Sequence, residues 1–191
     1  MRCVFVVVLT MMLVACGTVP RQTDNACAVF EQRDGLFENW ERSARRVERE
    51  YGVPVAVLMA TVYAESGYRY NAKPPRRKLL GFIPWKRVSS AYGYSQALDG
   101  TWASYKKQTG RWMAKRNDFG DAIRFIGWYH HQSHLKNGIA LNDAYRLYIA
   151  YHEGHAGYKR GSWSAPAKAG ANRASKMAAR YSSQLRNCSG W

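Results

Sequence analysis

"VPVAVLMATVYAESG", residues 53–67, is the stretch on which the fold turns. Between Val53 and Ala64 the only polar side-chain groups are the hydroxyls of Thr61 and Tyr63. Val55, Leu58 and Val62 recur at helical spacing, and the next inward position is Glu65. Pro54 is tolerated in a first helical turn, and Gly67 supplies the stop. A helix apolar on nearly every side belongs at the centre of a fold. This one ends in an acid. A carboxylate there meets the negative end of the helix dipole and apolar neighbours, and both disfavour its charge, so Glu65 is expected to hold its proton near neutral pH.

On the N-terminal side, "LFENWERSARRVERE" (36–50) places Leu36, Trp40, Val47 and Tyr51 near helical spacing, with acid and base pairs four apart. This predicts a helix that Gly52 ends. On the other side, "GYRYNAKPPRRKLLGFIPWKRVSS" (67–90) has three Pro and seven Lys or Arg and no clean period. At 24 residues it is long enough to be a functional loop. Further helices are predicted through Trp102 and Tyr105 to Gly110, from Asp118 to about Lys136, after an Asn142 cap through Leu147 and Ala150, and from Pro166 to Arg186. Almost nothing alternates with period two, so the fold class is mainly α. The chain has 191 residues, enough for one sizeable core and one domain.

The start reads as a targeting segment. An apolar run from Cys3 to Ala15 follows Arg2, too short for a stable span, and a small residue precedes Cys16. Leu13, Val14, Ala15 and Cys16 resemble the bacterial lipobox, which implies cleavage before Cys16 and lipidation of that residue. Gly17 in place of Asp implies sorting to the outer membrane, facing the periplasm. The resulting division is a signal peptide over 1–15, a lipidated tether over 16–35 and one folded domain over 36–191. Once Cys3 is removed and Cys16 lipidated, Cys27 and Cys188 are the remaining pair, and export predicts a disulfide between them.

Charge selects the partner. Lys and Arg number 29 against 13 Asp and Glu, a net +16. Such a surface suits an anionic polymer. An exported chain meets lipid head groups and the acidic peptides of the cell wall, which excludes nucleic acid as the partner.

Three stretches then stand in a telling order: Glu65-Ser66, "GYSQ" at 93–96 and "AYHEG" at 150–154. Together they resemble the lytic transglycosylases with the soluble-type (SLT) catalytic domain, which are similar to goose-type lysozyme. The match spans about Trp40 to Tyr158. The resemblance implies a lysozyme-like helical domain whose central helix ends at the catalytic acid, with glycan strands of peptidoglycan as substrate and no cofactor or metal. By resemblance, Glu65 protonates the bridging oxygen between muramic acid and glucosamine and then deprotonates the muramic acid 6-hydroxyl, giving a 1,6-anhydro end. Ser66 and Gln96 would orient Glu65 and bind the N-acetyl group, Tyr94 would join them in substrate binding, and Tyr151 would hydrogen-bond the catalytic carboxyl. The chain departs from the family pattern at Tyr94-Ser95 and at His152-Glu153.

Those departures leave other readings. Glu153 offers a second carboxylate, as a hydrolytic muramidase would use. His130 and His134 have the i,i+4 spacing of a helical zinc pair, and "HEGH" is one residue short of the zinc-protease pattern. A third reading is a non-catalytic wall-binding lipoprotein, whose aromatic cleft would stack sugars without cutting them.

Overall fold

The computed structural model describes residues 19–34 and 38–188. The apolar leader, the lipobox and Cys16 therefore lie outside the described residues, as does Leu36. Among the described residues seven helices follow in chain order: α1 (Ala26–Phe30), α2 (Trp40–Tyr51), α3 (Val55–Ser66), α4 (Asp99–Thr109), α5 (Phe119–Asn137), α6 (Ala144–Arg160) and α7 (Ala165–Leu185). Two small antiparallel pairs accompany them, β1 (Arg33–Asp34) with β2 (Glu38–Asn39), and β3 (Arg76–Leu79) with β4 (Ile83–Arg87). None of the described helices is long and apolar enough to cross a membrane.

α3 is the axis of the fold, as its composition requires. Every residue from Val55 to Val62 is buried. Its first turn lacks a side-chain cap of its own; instead Glu48 Oε1, reaching from α2, accepts from Val55 N at 3.0 Å. Inside the helix Thr61 satisfies its buried hydroxyl by donating to Val57 O. At the far end Gly67 adopts a left-handed conformation and donates to Tyr63 O, closing the helix just beyond Glu65.

The surrounding helices approach through small residues. α7 buries the small residues Ala167, Gly170, Ala171, Ala174 and Ala178, with Met177, Tyr181 and Leu185 toward its C-terminal end, and it packs on α3 and α6. A Cβ at Gly170 would sit 2.3 Å from Cε1 of Tyr148 on α6, so that ring occupies the space the glycine vacates. Between α2 and α5 a Cβ at Gly127 would stand 2.3 Å from Val47 Cγ1. Beside these contacts Trp40 stacks on Phe119 at 4.1 Å and meets Tyr94 edge-on at 5.5 Å.

Several boundaries differ from the sequence reading. α2 starts at Trp40, because Asn39 caps it by accepting from Arg42 N. α6 is capped by Asp143, whose Oδ1 accepts from Arg146 N at 2.9 Å, while exposed Asn142 stands one residue too early. The long 67–90 segment contains the β3–β4 hairpin. The expected tether up to residue 35 also needs shortening. Ala26, Val29 and Phe30 are buried against the core, Ala26 N donates to Gln184 Oε1, and the Tyr181 hydroxyl donates to Thr23 O. The predicted Cys27–Cys188 disulfide is present, with its Cα atoms 5.6 Å apart and 161 residues apart in sequence. Apolar burial and this bond fix the chain to α7 from about Thr23 onward.

Candidate active site

The three sequence motifs converge on one cavity of about 270 Å3, lined by Glu65, Ala91, Gln96, Ala97, Leu98, Thr101, Phe125, Tyr129, Tyr151 and His152. Glu65 arrives at the end of α3, Gln96 from the turn before α4, and Tyr151 with His152 from α6. Phe125 and Tyr129 of α5 form an aromatic wall with Tyr151, the Tyr129 and Tyr151 rings meeting edge-on at 5.1 Å.

Two glycines explain why the motifs take this shape. Gly93 has φ +75°, and a Cβ there would lie 2.0 Å from Arg116 O, so no other residue fits the turn that delivers Gln96. Gly154 interrupts α6 with φ 74° and ψ 160°, a conformation closed to residues with a Cβ. The interruption ends one helical run after Glu153 and re-aims the chain beyond the cleft.

Glu65 is partly buried, with its carboxyl at the cavity wall. Burial pushes its pKa up from 4.5 to about 7. Two groups oppose the rise: a hydrogen bond from the Tyr148 hydroxyl, then the charge of Arg173 on α7. The balance leaves an acid that gives and regains a proton near neutrality, in line with its place at the C-terminal end of an apolar helix.

The partner of that carboxyl differs from the expected one. Tyr151 directs its hydroxyl to Ser95 O at 2.6 Å, tying α6 to the motif turn. Tyr148, one helical turn earlier, is the tyrosine that meets Glu65. Burial raises the Tyr151 pKa well above that of a free phenol, and the nearby Glu65 carboxylate adds to the rise. Gln96 lines the cavity, but its Nε2 donates to both Ala72 O at 3.0 Å and Gly93 O at 2.8 Å. With both N–H groups used, only its carbonyl oxygen is left for a ligand. Ser66 is buried and donates to Val62 O, and it does not line the cavity. Tyr94 is likewise buried, with its ring against Trp40 and Phe119 rather than in the cleft.

Glu153 faces elsewhere. Its Oε1 accepts from Ser164 N at 3.1 Å and Ser164 Oγ at 2.5 Å, at the start of α7, and these bonds lower its pKa. Among the described residues Glu65 is the one carboxylate lining the cavity. The histidine pair is also committed to structure. His130 is fully buried with Nε2 at 2.9 Å from Thr61 Oγ1, and burial lowers its pKa to about 3. His134 instead places Nδ1 2.8 Å from Ile139 O. Among the described residues no three His, Cys, Asp or Glu side chains gather as a metal set.

Tyr148, Gly170 and Arg173 were not singled out from sequence, nor were Phe125 and Tyr129 as cleft residues. The small residues of α7 at three- and four-residue intervals, 167, 170, 171, 174 and 178, were the available signal of close approach. They do not say that a tyrosine fills the gap.

Among curated proteins none matches the chain. The family model described as the transglycosylase SLT domain matches residues 4–188, nearly the whole length, and carries transglycosylase-type action on peptidoglycan as its general activity. With Glu65, Gln96 and Tyr151 gathered in one helical cleft and that match over the chain, the protein belongs to the transglycosylase SLT domain family.

Proposed function

We propose that the chain is a lytic transglycosylase that cleaves the β-1,4 bond between N-acetylmuramic acid and N-acetylglucosamine with Glu65 as its single acid and base. The observation carrying this reading is a cleft carboxyl, the one among the described residues that line the cavity, whose pKa is raised by burial to about 7. Protonated Glu65 gives its proton to the bridging oxygen as the bond from the muramic C1 breaks, leaving an oxocarbenium-like centre. The carboxylate so formed then takes the proton of the 6-hydroxyl, and O6 closes on C1. No water enters, and Glu65 ends protonated as it began. Phe125, Tyr129 and Tyr151 offer faces and edges for sugar rings, and Gln96 Oε1 an acceptor for an N–H such as that of an N-acetyl group.

Hydrolysis commonly needs a second carboxylate about 5 to 9.5 Å across the scissile bond. The bonds that Glu153 accepts from Ser164 at the head of α7 favour the reading with one carboxylate. The test is mass spectrometry of digested peptidoglycan. Anhydro ends from the parent, retained in Glu153→Gln and absent from Glu65→Gln, are expected. Reducing muramic ends that vanish in Glu153→Gln would establish the muramidase, and absence of any cleavage would leave a wall-binding protein. We further propose attachment to the periplasmic face of the outer membrane through lipid on Cys16, supported by Leu13-Val14-Ala15-Cys16 closing the apolar run and by Gly17. Cys16→Ala should release the protein from the membrane fraction; unchanged fractionation and no incorporation of labelled fatty acid in the parent would refute the anchor.

A further inference from the structure

The β3–β4 hairpin is built unlike the rest of the molecule. Its register pairs Arg76 with Arg87, Lys78 with Pro84 and Leu79 with Ile83, so the turn falls at Leu80, Gly81 and Phe82. The apolar side chains there face outward: Leu80 is 75% exposed, Phe82 72% and Trp85 52%. The strands pair with each other, and the hairpin is fastened at its base, where Arg87 donates to Pro74 O and Val88 N to Pro75 O. An isolated two-stranded hairpin is marginal in water, and an apolar tip adds a cost unless something covers it.

The two strands below the tip are rich in cationic residues. From Ser66 to Leu98 the chain has no acidic residue, while Arg76, Arg77, Lys78, Lys86 and Arg87 all fall within the two strands. A second exposed apolar pair is Trp112, 65% exposed, and Met113, 89% exposed, between Arg111 and Lys115. The chain just before the hairpin and the chain just after Met113 meet at Tyr92: Lys73 and Arg116 both lie over its ring, and Arg116 also donates to Ser90 O and Ala97 O. Aliphatic tips such as Leu80 and Met113 offer a sugar no flat face and no hydrogen bond. They suit acyl chains, with aromatic rings at head-group level and cations matched to anionic phosphates.

We propose that the β3–β4 hairpin is a membrane-docking arm, its Leu80–Trp85 tip entering the interface of an anionic phospholipid bilayer while the flanking Arg and Lys meet the head groups. The chain on either side of the hairpin reaches the cleft, where Gln96 Nε2 donates to Ala72 O and Ala91 lines the cavity, so docking would hold the glycan-cutting site near a membrane surface. The inference does not depend on Cys16 or on the chemistry at Glu65.

The test uses the chain from Val19 onward, which contains both apolar core clusters and the disulfide and omits the apolar leader. It would be floated with vesicles of phosphatidylglycerol mixed with phosphatidylcholine, and with vesicles of phosphatidylcholine alone. The variant carries Leu80→Ser, Phe82→Ser and Trp85→Ser, all at exposed positions, so its thermal melting should match the parent. Binding of the parent to the anionic vesicles alone, weakened about tenfold or more in the variant, is expected. Cleavage of soluble glycan should be unaffected. Equal binding of parent and variant would show attraction by the basic surface as a whole and overturn the proposal. So would failure of the parent to bind, or loss in the variant of binding to soluble glycan strands, which would make the arm a substrate clamp. Should the serine variant melt early, Arg76→Gln with Lys78→Gln serves instead, with the same tenfold loss expected and unchanged binding overturning the proposal.

Discussion

Glu65→Gln should raise the stability of the protein, and by an amount that depends on pH. The folded carboxyl has a pKa near 7 against 4.5 for an unperturbed group. Between those values the folded chain keeps a proton that the unfolded chain has released, so stability falls as pH rises through that window. Below pH 4.5 both forms are protonated and the cost is absent; above about pH 7 it is complete. Its full size is about 3 kcal/mol, and water reaching the carboxyl from the cleft reduces this to about 2 to 3. Gln has the same shape and never ionises, and its Oε1 can still accept from the Tyr148 hydroxyl. At pH 8 the variant should therefore melt about 5 to 10 °C above the parent for a chain of this size, and at pH 4 the two should coincide. Parallel thermal scans by circular dichroism from pH 4 to 8, with the disulfide intact, measure the difference. A gap that stays constant across that range, or widens toward low pH, would refute the assignment of a raised pKa to Glu65.

Tyr148→Phe removes the hydrogen bond that holds the Glu65 pKa down, so the alkaline limb of the pH–activity profile should move to higher pH, with about a tenfold loss at the optimum; an unmoved limb would mean that Tyr148 only packs. Gly170→Ala puts a methyl 2.3 Å from the Tyr148 ring and should cost about 1 to 3 kcal/mol in denaturant unfolding, together with a pH profile displaced like that of Tyr148→Phe; a loss of stability with the profile unchanged would separate the two roles. Reducing Cys27–Cys188 opens a loop of 161 residues, for which chain entropy gives about 5 kcal/mol at most. The melting temperature should fall more than activity at low temperature, and equal melting with and without reductant would show that burial of Ala26, Val29 and Phe30 suffices.

The sequence by itself determined the central helix, the acid at its end and the family. A buried helix needs no tertiary information to be recognised when every side of it is apolar, and a Glu at its terminus is conspicuous against that background. The order of Glu65, Gly93–Gln96 and Ala150–Gly154 carried the resemblance, and Cys27 with Cys188 carried the disulfide once export was inferred. Only the tertiary structure decided which side chains serve the acid. Tyr148 and Tyr151 lie one turn apart on the same helix, and their roles separate according to what packs above them. Gly170 of α7 makes room for Tyr148 beside Glu65, while the turn at Ser95 takes the hydroxyl of Tyr151. Ser66 matches the family by position and Tyr94 stands where the chain departs from it, and burial turns both inward. Glu153 was a free carboxylate in sequence and became the partner of Ser164 when α7 folded back against α6. Periodicity along a chain records which face is apolar. Which polar group then meets which depends on the rotation and spacing of helices distant in sequence, and small residues such as Gly170 set that spacing.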